Sequence, residues 1–159
     1  DERKQQVRLS REPDVVFTMT GDRELLIQLF ANLVENSIRH SPEGAKIWIN
    51  ATRSNAAINV DVADNGPGIP VEERDKVFQR LYRLDKSRTT PGTGLGLSLV
   101  KAILDLHQAS IALQDNAPGL RVKLSFPVVP PYNRPDLAAT TARAKQSFMS
   151  NPSAENNGQ

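Results

Sequence analysis

IWINATRSNAAINVDVADNGPGIP, residues 47–70, is the stretch on which the fold turns. Ile47, Ile49 and Ala51, then Ile58, Val60 and Val62, alternate with polar residues on either side of a short Arg53-Ser54-Asn55-Ala56 connection. That period of two predicts an antiparallel hairpin with one buried face, and Trp48 falls on the other face. The pattern then breaks. Two glycines and two prolines between Asp64 and Pro70 support neither a ladder nor a helix, so the chain leaves the sheet there as an irregular loop.

Upstream, Val15, Phe17 and Met19 alternate with Val16, Thr18 and Thr20 as in a half-buried strand, and Val7 with Leu9 hints at a short strand before it. Gly21 ends that run. Leu25, Leu26, Leu29, Leu33 and Ile38 then recur at helical spacing from Asp22 to about His40, with Asp22 or Thr20 as N-cap and Pro42 and Gly44 beyond the end. Downstream, the sequence predicts a short helix over roughly 71–79 and a long polar loop over 82–94. A helix from Leu95 to His107 follows, then a closing strand pair, Ile111 with Leu113 and Leu120 to Phe126, around the turn Asp115–Gly119.

At 159 residues the chain holds one ordinary domain, and 38% hydrophobic with 24% charged residues suits a globular protein rather than a membrane span or a wholly disordered chain. Without cysteine, thiolate metal sites, cysteine nucleophiles and disulfides are excluded. The opening Asp1-Glu2-Arg3, with no methionine or apolar leader, reads as a piece of a longer protein. After Phe126 proline, alanine, asparagine and serine take over, so residues 127–159 are expected to be mostly disordered, with a short helix over 137–149 as the alternative. Arg80, Arg83, Lys86 and Arg88 set against Asp85 give +3 over residues 80–88, while the whole chain carries only +2. Such local charge, without a basic stripe interleaved with aromatics, fits a compact anionic ligand better than nucleic acid.

Three motifs carry chemistry. Asn32, Asn36 and His40 are spaced by four on one stripe of the first long helix, with Arg39 beside them; an amide oxygen suits a hard cation and Arg39 suits phosphate, although the same stripe also fits a solvated helix face. Asp64-x-Gly66-x-Gly68 puts a carboxylate at a strand end beside backbone without Cβ bulk, where it can accept from an exocyclic amine; alone it is equally a turn. Gly92-x-Gly94-x-Gly96 stands at a helix start, where free N–H groups favour phosphate; alone it is equally a linker.

Taken together, over about residues 5–126, these motifs resemble the ATP-binding catalytic domain of sensor histidine kinases. That domain belongs to the superfamily that includes type II topoisomerases and heat-shock chaperone ATPases. The matching segments are an N box (Asn32–His40), a first glycine box (Asp64–Pro70), an F box around Phe78 and a second glycine box (Gly92–Leu97). The resemblance implies an α/β two-layer sandwich of the Bergerat type, a mixed sheet of about five strands covered on one face by three helices, with a flexible ATP lid over about residues 81–93, all within residues 1–126.

Site roles are implied in the same way. Asn36 would bind Mg²⁺, Asn32 and Arg39 would contact phosphates, and His40 would lie against the nucleotide. Asp64 would receive the adenine amine, Gly66 and Gly68 would shape its pocket, and Ile69 would wall it. Phe78 would anchor the lid base, where Leu81 replaces a frequent second aromatic. Gly92, Thr93, Gly94, Leu95, Gly96 and Leu97 would hold the phosphates, and Arg83, Lys86 or Arg88 would close over them. The hydrolase cousins usually carry a glutamate general base four residues before the metal-binding asparagine; here that position is Asn32, which disfavours hydrolysis. Glu35, about 100° around the helix from Asn36, is the family-based candidate for activating an acceptor imidazole.

The function so implied is transfer of the γ-phosphoryl group of Mg-ATP to a histidine, with relay to a response-regulator aspartate. The acceptor would lie on a separate helical dimerisation domain of the same parent. Neither His40 nor His107 has an acceptor's context; His107, at a helix end, suggests a dipole-stabilising or surface role. An anti-sigma-factor-type serine kinase and a non-catalytic nucleotide-sensing module are the alternatives. The implied setting is a cytoplasmic domain without membrane contact, in a parent open to inner-membrane anchoring.

Overall fold

The computed structural model describes residues 4–83 and 94–128. In chain order these form β1 (Gln6–Arg11), α1 (Arg23–His40), β2 (Lys46–Arg53) and β3 (Ala57–Asp64). Two 3-10 turns (Val71–Glu73 and Lys76–Phe78), α2 (Gly96–Leu106), β4 (Ser110–Asp115) and β5 (Leu120–Pro127) complete them. The sheet order is β1-β2-β3-β5-β4; β1 runs parallel to β2 and every other pairing is antiparallel, so the five-stranded sheet is mixed.

The register explains the core. Ile49 pairs with Val62 and Ala51 with Val60, while Val62, Val60 and Ile58 pair in turn with Val122, Leu124 and Phe126. Paired residues share a face, so one side of three strands is continuously apolar. Against it α1 buries Leu29 and Leu33 one turn apart, and α2 buries Val100, Ile103 and Leu104. The third helical segment is the pair of 3-10 turns. It begins at Pro70 without a side-chain cap and buries only Val77, too little apolar surface to drive a longer helix.

Helix α1 is capped at both ends. Asp22 Oδ1 accepts from the Leu25 N–H at 3.0 Å, and the Gln5 side-chain amide donates to the Ile38 carbonyl at 2.9 Å and the Ser41 carbonyl at 3.2 Å. The strand expected at Val15–Thr20 does not form, because the place beside β2 is taken by β1. The alternation is nevertheless real: Val15, Phe17 and Met19 are half-buried while Val16, Thr18 and Thr20 are exposed. Phe17 and Met19 pack on the core and, with Leu26 and Phe30, line a groove beside α1, so one-sided burial rather than a ladder produces the pattern. Arg53 ties this segment down, its guanidinium donating to the Val16 carbonyl and its N–H to Glu12 at 3.1 Å.

At the other end of the chain, the Val128 N–H bonds the Ala56 carbonyl at 2.8 Å just beyond β5. The expectations for the tail beyond it, and for a helix at 137–149, lie outside the described residues. No helix among the described residues is long and apolar enough to cross a membrane.

Leu33 is 2% exposed and packs between α2 and the sheet. Leu33→Ala is expected to lower the unfolding free energy by about 2–5 kcal/mol, read by urea denaturation with an unchanged slope. A loss below about 1 kcal/mol would place Leu33 outside the core.

Candidate functional site

Strand period and register together aim Asp64 inward. It ends β3 two residues after Val62 and pairs with the fully buried Ile47, so its side chain faces the helix layer and is only 7% exposed. The carboxylate is held by backbone donors: Oδ1 accepts from the Gly66 N–H at 2.9 Å and from the Leu120 N–H at 3.2 Å. Gly66 lies against the end of α1; a Cβ there would sit 2.9 Å from Ser41 Oγ, 3.1 Å from Asp64 Oδ1 and 3.4 Å from the His40 carbonyl. Gly68, at φ +71°, approaches the Gly119 carbonyl, which its Cβ would meet at 2.9 Å.

The asparagine stripe of α1 meets the start of α2. A Cβ at Gly96 would lie 3.3 Å from Asn32 Oδ1, 3.3 Å from Asn36 Nδ2 and 3.5 Å from Asn36 Oδ1. Asn32 is oriented by its own helix, Nδ2 donating to the Gln28 carbonyl at 2.8 Å. His40 is exposed as a whole residue, but its imidazole is partly desolvated and so held below its ordinary pKa, with the Arg39 and Arg83 guanidiniums adding to the effect and Asp64 opposing it. Three residues singled out from the sequence, Arg39, Arg83 and Asp64, thus act electrostatically on a fourth, His40. The α1 terminus, the β3 exit and the α2 start form one neighbourhood.

Other sequence-predicted residues lie around it. Ile69, Phe78 and Leu97 are half-buried, Leu95 is 37% exposed, and Glu35 is exposed on α1. Lys86, Arg88, Gly92 and Thr93 fall outside the described residues, as does most of the expected lid. Its two flanks are joined, since the Leu81 N–H donates to the Gly94 carbonyl at 3.0 Å. Gly94 has φ +68°, and a Cβ there would come within 3.0 Å of the Leu81 backbone. Leu81 is 71% exposed and contributes main chain rather than packing; the adjacent Tyr82 hydroxyl donates to Glu73, which also pairs with Lys76 at 3.2 Å.

Several residues of the site carried no local signal. Asn116 Nδ2 donates to the Asp64 carbonyl at 2.8 Å across 52 positions of sequence, and Gly119 passes so close that a Cβ would sit 1.9 Å from that carbonyl. Ser41 is 5% exposed and its hydroxyl is buried without a hydrogen-bond partner. Away from the site, where α1 begins, His107 is half-buried rather than on the surface: its Nδ1 bonds the Ile103 carbonyl at 2.7 Å and its Nε2 accepts from the Asp22 N–H at 3.0 Å. Only the neutral ring protonated on Nδ1 makes both bonds.

No group of three or more His, Cys, Asp or Glu residues capable of holding a metal occurs among the described residues. The site offers amide oxygens instead, from Asn32 and Asn36 at the α2 start. Such a donor set fits Mg²⁺ bound chiefly through ligand phosphates and water, with one or two oxygens from the chain.

Comparison with known proteins gives the family of the chain. Residues 21–130 match the family described as histidine kinase-, DNA gyrase B-, and HSP90-like ATPase. The sensor-like histidine kinase SenX3 of Mycolicibacterium smegmatis is 37% identical over 128 residues, covering 79% of this chain and 33% of that protein, so the chain spans about a third of its relative's length. The mycobacterial sensor histidine kinase MprB superposes with a TM-score of 0.72 at 28% identity, over 80% of this chain and 86% of that one. Histidine kinase ThkA, in a complex with response regulator protein TrrA, superposes at 0.68 and 25% identity, over 84% of this chain and 36% of that one. The chain therefore belongs to the histidine kinase-, DNA gyrase B- and HSP90-like ATPase family, as an ATP-binding catalytic domain of the histidine kinase kind.

Proposed function

We propose that this chain binds Mg-ATP between the end of α1, the exit of β3 and the start of α2, and delivers the γ-phosphoryl group to a histidine on a separate helical domain. The observation that carries the reading is the meeting of Asp64, His40, Asn36 and Gly96 at one end of the helix layer. Asp64 takes the adenine amine. Among the described residues its carboxylate accepts two bonds, both on Oδ1, so Oδ2 is the oxygen assigned to the base. Ile69 walls the ring, and Gly66 and Gly68 give it room.

Arg39, Arg83, Asn32 and the α2 start receive the phosphates, with Gly94, Leu95, Gly96 and Leu97 at the helix mouth and Gly92, Thr93, Lys86 and Arg88 completing the set. Asn36 supplies its amide oxygen to Mg²⁺. When bound, the ion would supply charge neutralisation at the phosphates; in the transfer itself the phosphorus–oxygen bond to ADP breaks and the phosphorus–nitrogen bond to the acceptor forms. Asn32 cannot accept a proton from water, and its amide is already committed to Gln28, which favours transfer over hydrolysis. Glu35, exposed beside Asn36, faces outward to an incoming acceptor imidazole. The phosphohistidine would then be consumed by the aspartate of a response regulator, the partner class seen with ThkA. The working compartment is the cytoplasm, with any anchor elsewhere in the parent protein.

Calorimetric titration of the chain with Mg-ATP tests the site. Asp64→Asn is expected to weaken ATP roughly 10- to 100-fold while sparing Mg-tripolyphosphate, as loss of one charge-assisted bond to the base requires. Asn36→Ala should instead abolish most of the magnesium dependence of phosphate binding. Two variants that both bind like the parent would sink the site, and transfer of label to serine rather than histidine on added acceptor domains would redirect the function.

The state of His40 gives a pH prediction. Its folded pKa lies below the ordinary 6.5, so the folded chain resists a proton that the unfolded chain accepts. Its contribution to stability is complete above pH 6.5 and is lost progressively as pH falls below that value. Urea unfolding from about pH 7.5 to 5 is expected to show a steeper loss in the parent than in His40→Gln. Equal slopes would contradict the assignment.

A further inference from the structure

The loop from Asn65 to Pro70 is held at both ends by the strand pair β4–β5, through different side chains. At its start Asn116 Nδ2 donates to the Asp64 carbonyl, while Asn116 Oδ1 accepts from Arg121 Nη2 at 2.8 Å. At its far end stands Arg74. Nε donates to the Ile69 carbonyl at 3.1 Å, Nη1 to the Leu113 carbonyl at 3.5 Å, and Nη2 pairs with Asp115 at 2.5 Å.

The burial of these groups decides which contacts matter. The Arg74 side chain is 17% exposed whereas that of Asp115 is 70% exposed, so the ion pair is open to solvent and screened. The bonds to the two carbonyls lie inward. They need a planar fork with donors on neighbouring nitrogens, which arginine has and lysine lacks. The loop runs close to the turn at Gly68, where an added Cβ would meet the Gly119 carbonyl at 2.9 Å. Arg74 fixes the placing of Ile69 relative to β4.

We propose that Arg74 is a positioning residue for recognition of the base. By holding the Ile69 backbone to β4 it sets the separation between the apolar wall and the Asp64 carboxylate, and so selects adenine over guanine without touching the nucleotide. This rests on the reading of Asp64 as the adenine acceptor and adds the element that gives that acceptor its selectivity.

The test uses the full chain with Arg74→Ala and Arg74→Lys, titrated with Mg-ATP, Mg-GTP and Mg-tripolyphosphate, with the thermal midpoint recorded for each. Arg74→Ala is expected to weaken ATP about tenfold, to shrink the ATP-to-GTP preference, and to leave tripolyphosphate within about twofold of the parent. Arg74→Lys should recover less than half of the lost preference. A merely structural arginine would lower the thermal midpoint and weaken all three ligands together; that result, or unchanged ATP affinity, overturns the proposal. Should Arg74→Ala fail to fold, Arg74→Lys is judged on the same ratios. A parent that fails to bind ATP, or Asp64→Asn that binds it like the parent, removes the underlying site and this inference with it, and is distinguished from Arg74's own failure by the Asp64 variant.

Discussion

A carboxylate placed inside a helix–sheet interface must be met by donors, because an uncompensated buried charge costs several kcal/mol. Asp64 occupies that position, and much of the local backbone follows from it. Its Oδ1 takes the Gly66 N–H, so the chain folds back immediately after β3, and it takes the Leu120 N–H, so β5 begins beside it. The turn that delivers Leu120 then passes over the Asp64 carbonyl so closely that only glycine fits at position 119, with φ +111°. The glycines of this loop therefore serve the carboxylate as well as any ligand.

The local patterns were legible in the sequence and the long-range partners were not. Leu25 to Ile38 at helical spacing, behind Asp22, gave α1 within a residue, and the alternation from Ile47 to Val62 gave β2 and β3. Alternation at Val15–Thr20 misled because a period of two reports one-sided burial, whether the neighbour is a strand or a helix, and here it is α1. β1 showed only as Val7 and Leu9, since an edge strand with every residue exposed writes little hydrophobic pattern.

The candidate site divides the same way. Asn32, Asn36, His40 and Asp64 could be picked out because each belongs to a short motif tied to one element. Asn116, Gly119, Ser41 and Arg74 could not, because their relevance comes from contacts made across the fold, as between Asn116 and Asp64. Turn composition located Asp115–Gly119 as a turn. It gave no hint that the turn cradles the β3 exit.

The helix layer has its own means of keeping the site together. The α2 start needs a fixed distance from the asparagine stripe of α1, and at Gly96 there is no space even for a Cβ at ordinary contact distance. Packing alone would leave the two helices free to rock about Leu33 and Val100, which interact only through non-directional apolar contact. His107 supplies a directional tie at the opposite end, accepting from the Asp22 N–H where α1 begins while donating to its own helix at Ile103. Gly21 is the residue that lets it in, since a Cβ there would stand 2.8 Å from the His107 ring. The tie satisfies a backbone N–H at the α1 entrance and restrains α2 in one bond, so the spacing at the glycine-lined end is set partly from the far end of the helix layer.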